Sequence, residues 1–322
     1  MDGDGIRAVM DVGTNSIKLL VAACSSGKQT VLADRTEITR LGEGAEETGE
    51  LSRAAMERTA GAIDGMARNA LALGAGEITA VGSHAMRAAR NAGDFIRFVK
   101  SACGVNIRVI SGEEEAETAF LAAAEAIPGY AGERTVLDVG GGSSELVCGS
   151  PERLTRCFSI PVGALSLYGK FFHEIPRGGP VGSGILDETR RFVRNAAENS
   201  GFSERSGAIP CVGVGGTVVT LASVFLGLGA SGTGLTDGSI LTVFEIERQI
   251  ALFASMNTEE RKKIRGMIPE RADIALPGAC AVIALMDFCG VKGLTVSGKG
   301  LRHGLMSKIA QARRGDPAGD RR

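Results

Sequence analysis

Few of this chain's residues could build a metal scaffold or a disulfide framework. Its 322 residues include three histidines (His84, His173 and His303), far apart, and seven cysteines never closer than nine positions. With no CxxC pair and an odd cysteine count, neither a structural zinc site nor a disulfide framework is expected, and the thiols read as buried and reduced. Proline is scarce at 9, which excludes the Pro-plus-Gly mixture of disordered or collagen-like chains. Charge of either sign is missing in the net: 36 Lys and Arg stand against 37 Asp and Glu. Such a chain has no general field for nucleic acid or an anionic membrane, so any anionic ligand must be held locally.

No apolar run reads as a membrane span. Residues 206–236 carry no charge but hold eight glycines and two breaks, so they read as a buried strand, turn and helix. The opening MDGDGIRAVMDVG has no signal-peptide pattern, and the expectation is a soluble, cytoplasmic protein. What the chain has in excess is glycine, 46 residues or about 14%, roughly twice the usual share of about 7%.

A repeat organises these glycines. VMDVGTNSIKLL (9–20) and VLDVGGGSSELV (136–147) match at six of twelve positions without a gap, 127 residues apart. In each, an apolar run ends in Asp-x-Gly, passes a turn of small residues and returns apolar, which is a β-hairpin signature. Two hairpins at this distance predict two similar α/β lobes, because solenoid repeats are far shorter. Strands are expected at 78–83, 107–110, 158–162 and 293–297, and a strand–turn–helix at 210–226. Helices are expected at 52–73, 116–127 and about 186–199, with a pair between Glu245 and Phe288. Pro128-Gly129 places the lobe boundary near 127, giving lobes 1–127 and 128–299. The polar tail 313–322 is expected to be disordered.

Four glycine-marked turns follow predicted strands: 11–16, 138–143, 213–217 and 297–300. Turns without Cβ atoms let backbone N–H groups converge on phosphate. Candidate contacts are Gly13, Thr14, Asn15 and Ser16; Gly140, Gly141, Gly142 and Ser143; and Gly215, Gly216 and Thr217. Asp11 and Asp138 sit at the two strand ends and read either as Mg²⁺ ligands facing phosphate or as side chains bonding their own turns. Glu145, on the return strand, is a further candidate ligand or a solvated acid. Ser111 and Glu114 have the spacing of a capping box. Glu115 instead shares a helical face with Ala119 and Ala123, where desolvation would favour a general base. Lys18, Arg40, Arg87, Arg90, Lys299 and Arg302 are the basic residues near the turns.

With these motifs the chain resembles the exopolyphosphatase / guanosine pentaphosphate phosphohydrolase (Ppx/GppA) family of the actin-like ATPase superfamily. The resemblance spans about 6–310 and rests on MDVGTNSIKLLV, RLGEG (40–44), AMRAARN (85–91), ISGEEEA (110–116), LDVGGGSSELV, GVGGTVVTLA (213–222), RAD (271–273) and VSGKGLRHGL (296–305). It implies two ribonuclease-H-like lobes, an active site in the interdomain cleft and a last helix (about 300–312) packed on the first lobe. It implies a catalytic role for Glu115, metal binding by Asp138 and Glu145 (Asp11 being the third candidate), phosphate binding at 13–16 and 140–143, and a substrate contact at Arg87. The activity implied is hydrolysis of a terminal phosphoanhydride, in inorganic polyphosphate or guanosine pentaphosphate, with Mg²⁺ or another divalent cation as cofactor. No nucleic-acid or membrane partner is expected; a homodimer is the oligomeric expectation. The chain looks like the short, two-domain form. Other readings are an ATP-dependent phosphotransferase of the same superfamily and a non-catalytic polyphosphate or alarmone sensor.

Overall fold

The computed structural model describes residues 5–25, 28–123, 126–201, 209–229 and 233–312; the tail 313–322 lies outside them. The chain divides into two compact units, residues 1–111 with 301–322, and residues 112–300.

The first unit is built on a five-stranded sheet. Strands β1 (Gly5–Val12), β2 (Ser16–Ser25) and β3 (Lys28–Ile38) form an antiparallel meander, and β4 (Ile78–Gly82) and β5 (Ile107–Val109) continue it in parallel, in the order β3-β2-β1-β4-β5. Between β3 and β4 runs α1 (Arg53–Ala72), whose first turn is capped by Ser52 Oγ accepting from the Ala55 amide. Two shorter helices, α2 (His84–Ala88) and α3 (Ala92–Cys103), connect β4 to β5. Residues alternate across β1 as the period of two demands. Ala8, Met10 and Val12 join Ile63, Met66 and Phe95 on one face, while Val9 points the other way.

The second unit repeats this plan. Its strands are β6 (Arg134–Val139), β7 (Ser144–Gly149), β8 (Leu154–Ile160), β9 (Cys211–Val214), β10 (Ile240–Thr242) and β11 (Gly293–Val296), in the order β10-β11-β9-β6-β7-β8. Read as β8-β7-β6-β9-β11, the order and directions match the first sheet, with β10 added antiparallel at the edge. One face carries α4 (Gly112–Ala123), whose Ala116, Phe120 and Ala123 pack on Val136, Val147, Val212 and Val214. The larger core on the opposite face includes residues of α5 (Ser183–Asn199), α6 (Gly215–Leu226), α7 (Val243–Ala254) and α8 (Ala275–Phe288). Of α8 every residue but Asp287 is buried, as expected of a helix apolar on all sides.

The fold is therefore the expected two-lobed α/β architecture of ribonuclease-H-like, actin-like type. The division, however, falls at Ser111/Gly112 and not near 127. Pro128-Gly129 does punctuate the chain, but the apolar stripe of α4 is buried on the second sheet, and packing decides where the helix belongs. All seven cysteines are unpaired thiols, five of them buried. No helix among the described residues is long and apolar enough to cross a membrane.

The last helix, α9 (Leu301–Ala312), returns to the first unit. Leu301, Leu305 and Met306 pack with Val9, Leu20, Ala22 and Val81 on the sheet face opposite α1. Arg302 donates two hydrogen bonds to Asp34 of β3, at 2.8 and 3.0 Å. Burial by itself would raise the Asp34 carboxyl, but hydrogen bonds from His303 and Arg302 outweigh it and hold the pKa at about 2, below the ordinary 3.8. The stability this provides is complete above pH 3.8 and is lost as the pH falls toward 2. Asp34→Asn should cost about 1 kcal/mol at neutral pH, since the pair is partly solvent-screened. It should also raise hydrogen exchange over 301–312. Urea titrations at pH 7 and pH 2.5 check this: a cost equally large at both would exclude the ionic contribution.

Candidate active site

Both hairpins make the same turn. The Gly13 amide donates to the Ser16 carbonyl at 3.0 Å, and the Gly140 amide to the Ser143 carbonyl at 2.9 Å. A neighbouring segment then ties the turn carbonyls down on one side. In the first hairpin, Thr39 and Arg40 N–H donate to Asn15 O, and Gly42 N–H to Thr14 O. In the second, Ala164 N–H donates to Gly140 O, and Leu165 and Ser166 N–H donate to Gly141 O. This approach requires Gly163, whose Cβ would stand 2.4 Å from the Gly141 carbonyl carbon. A planar trans peptide carries its N–H opposite its C=O, so the Asn15, Gly141 and Gly142 amides point away from these supports. Such convergent amides suit an oxyanion.

The charges at the two strand ends differ. Asp11 and Asp138 hold equivalent positions, and their cross-strand partners are Lys18 and Glu145 respectively. Asp11, 3% exposed, accepts a 2.8 Å hydrogen bond from Lys18 Nζ, so its charge is met within the hairpin. Of the two sequence readings of Asp11, this arrangement favours the structural one.

The second hairpin accumulates like charge instead. Glu145 is buried, and its Oε1 accepts from Ser159 Oγ at 3.0 Å. Burial first, then the carboxylates of Glu115 and Asp138, push its pKa well above the ordinary 4.5, against hydrogen bonds from Ser143 and Ser159. Glu115 lies half-buried in the first turn of α4. Asp138 lies against the start of α6: a Cβ on Gly215 would be 2.2 Å from its Oδ1, and Gly215 has φ +89°, so only glycine fits.

Among the described residues, no group of three His, Cys, Asp or Glu side chains is arranged to hold a metal. Mg²⁺ commonly takes only one or two carboxylates, completing its shell with phosphate oxygens and water. Asp138 and Glu145 fit that role, because their buried, mutually repelling charges call for a cation.

Other candidates occupy more mixed surroundings. Arg87 donates to the Ile110 carbonyl at 3.0 Å, tying α2 to the chain just after β5. Ser143 bonds Glu145 and so supports the acid as well as the turn. Gly216 lies beneath the guanidinium of the buried Arg271, and Thr217 packs against Gly278 of α8. Ser159 and Arg271 were not among the sequence candidates. Ser159 is opposite Glu145 in the β7–β8 register, a relation that residue types alone do not reveal. The RAD segment, by contrast, had already marked Arg271 as part of a motif.

The sequence profile of the Ppx/GppA phosphatase family matches residues 20–312, nearly the whole chain. The chain belongs to this family. The Aquifex aeolicus Ppx/GppA enzyme is 28% identical, with 95% of this chain and 99% of that one covered and a TM-score of 0.76. A second structure of the Aquifex aeolicus family member covers 98% and 100% at 27% identity, TM-score 0.77. An exopolyphosphatase from Cytophaga hutchinsonii shares the fold at 21% identity, covering 95% and 98%, with a TM-score of 0.82.

The carboxylate cluster has a thermodynamic signature. The folded chain retains a proton on Glu145 that the unfolded chain releases above pH 4.5, so cation-free stability falls as the pH rises past that value. With EDTA present, Glu145→Gln should therefore stabilise the protein at pH 8 by about 1–3 kcal/mol. At pH 4.5 it should do little. Urea denaturation at the two pH values measures this, and equal effects at both would rule out charge repulsion as the cause.

Proposed function

We propose that the protein hydrolyses a terminal phosphoanhydride, in inorganic polyphosphate or guanosine pentaphosphate, with a divalent cation such as Mg²⁺. The observation that carries this reading is the placement of Glu115 in one electrostatic cluster with Asp138 and Glu145, beside a turn whose amides suit an oxyanion. Family membership supports a phosphatase activity.

Each group then has a role. The Glu115 carboxylate accepts a proton from water as the water oxygen attacks the terminal phosphorus. The phosphorus–oxygen bond to the bridging oxygen breaks, and the electron pair leaves with the shortened chain or nucleotide. Phosphate is the second product. The Gly141 and Gly142 amides orient the terminal oxygens, positioning that phosphoryl transfer chiefly needs. Asp138 and Glu145 would hold the cation, which supplies compensation for phosphoryl charge when bound. Gly215 and the Ser143 and Ser159 hydroxyls keep those two acids in place. Asn15 and its turn in the first unit form a further oxyanion-binding element.

A phosphate-release assay without any acceptor, comparing polyphosphate lengths with guanosine pentaphosphate, tests the reaction class and identifies the preferred substrate. Release from either substrate is expected. Turnover only with an added acceptor would make the protein a phosphotransferase, and binding without turnover would make it a sensor. Glu115→Gln should retain fold and polyphosphate binding and lose about two to four decades of turnover. Near wild-type turnover in that variant would remove Glu115 from the mechanism.

A further inference from the structure

The two hairpins superpose in plan but not in charge. Asp11 faces Lys18 in the register where Asp138 faces Glu145. Cross-strand neighbours of this kind project to one face of a sheet and interact directly. In the first hairpin that interaction is a 2.8 Å ammonium–carboxylate bond, with the aspartate side chain 5% exposed and the lysine 23%. In the second it is the meeting of two acids. We propose that Lys18 is a built-in counter-cation: it takes, in the first hairpin, the electrostatic place that a divalent ion takes in the second. The protein then binds one divalent ion per chain, and the first hairpin receives a phosphoryl oxyanion with no metal between.

Three features of the first hairpin carry the proposal. A dication on Asp11 would stand beside an ammonium group, and like charges at that range repel strongly. An ammonium has three N–H donors, of which the bond to Asp11 uses one, so Lys18 remains able to donate to an anion. The third feature is Asn15, in the turn between the paired residues. It is 4% exposed, and neither its Oδ1 nor its Nδ2 has a hydrogen-bond partner among the described residues. A buried carboxamide left without partners is costly, which points to a polar ligand at this turn. Lys18 is thus a positioning and binding group rather than one that reacts.

The inference rests on the phosphohydrolase reading for its ligand, but its test does not depend on turnover. Mn²⁺ binding to the full chain is measured by equilibrium dialysis with electron paramagnetic resonance. Wild type should bind one Mn²⁺ per chain. Asp11→Asn should stay within about twofold of wild-type affinity, and Glu145→Gln should weaken binding at least tenfold. Lys18→Glu converts the first pair into the acid pair of the second hairpin and should gain a second Mn²⁺. Two ions bound to wild type, a tenfold loss in Asp11→Asn, or a folded Lys18→Glu that still binds one would each overturn the proposal. If Lys18→Glu does not fold, wild type and Asp11→Asn still decide. In EDTA, inorganic phosphate should bind Lys18→Met at least tenfold more weakly than wild type; equal binding would overturn the direct-oxyanion part. Loss of all phosphate release in wild type, with one Mn²⁺ bound, would overturn the hydrolase reading and support the single-ion assignment.

Discussion

The residue opposite a strand-end aspartate determines what each half of this molecule can hold. The backbone of the two hairpins is nearly the same, from the Gly-to-Ser turn bond to the amides that tie the turn carbonyls down. One cross-strand position then differs. Lysine there closes the charge account inside the protein; glutamate leaves two acids beside one another, with Glu115 adding a third. Much of the detail around the second hairpin follows from holding those acids together. Ser143 and Ser159 bond Glu145, and Gly215 leaves Asp138 room that no other residue would. Such an arrangement is poor for stability and well suited to a cation and a polyanion, the usual exchange at an active site.

Those parts whose physics is local were legible in the sequence. The hairpins announce themselves because apolar strands, Asp-x-Gly and small turn residues occur twice. Glu115 was distinguishable from Glu114 because its positions i+4 and i+8 are alanines on a packed face. The parts that escaped are fixed by the sheet. Strand β3 is almost wholly exposed and polar, with no apolar alternation, and owes its conformation to pairing with β2. Strand β10 has three residues and exists as an edge to β11. Ser159 and Lys18 acquire their roles from register, which a linear reading does not contain.

The boundary between the units shows the same competition. Pro128-Gly129 is a strong local stop, and read alone it assigns the preceding helix to the first lobe. Phe120 and its alanine neighbours are buried on Val136, Val147, Val212 and Val214, so the helix belongs with the second sheet. Glu115 consequently rides on the same unit as Asp138 and Glu145. The general base and the acids that would hold the cation thus share one scaffold, as preorganised chemistry requires.

Helix α9 carries a consequence for synthesis. A ribosome delivers the second unit, residues 112–300, as one uninterrupted stretch, whereas the first unit needs its opening 111 residues and a helix made last. Until residues 301–312 emerge, Val9, Leu20, Ala22 and Val81 lack the apolar cover that Leu301, Leu305 and Met306 provide. The unit translated first is therefore the one completed last, and its uncovered sheet is the surface a nascent chain must protect from aggregation.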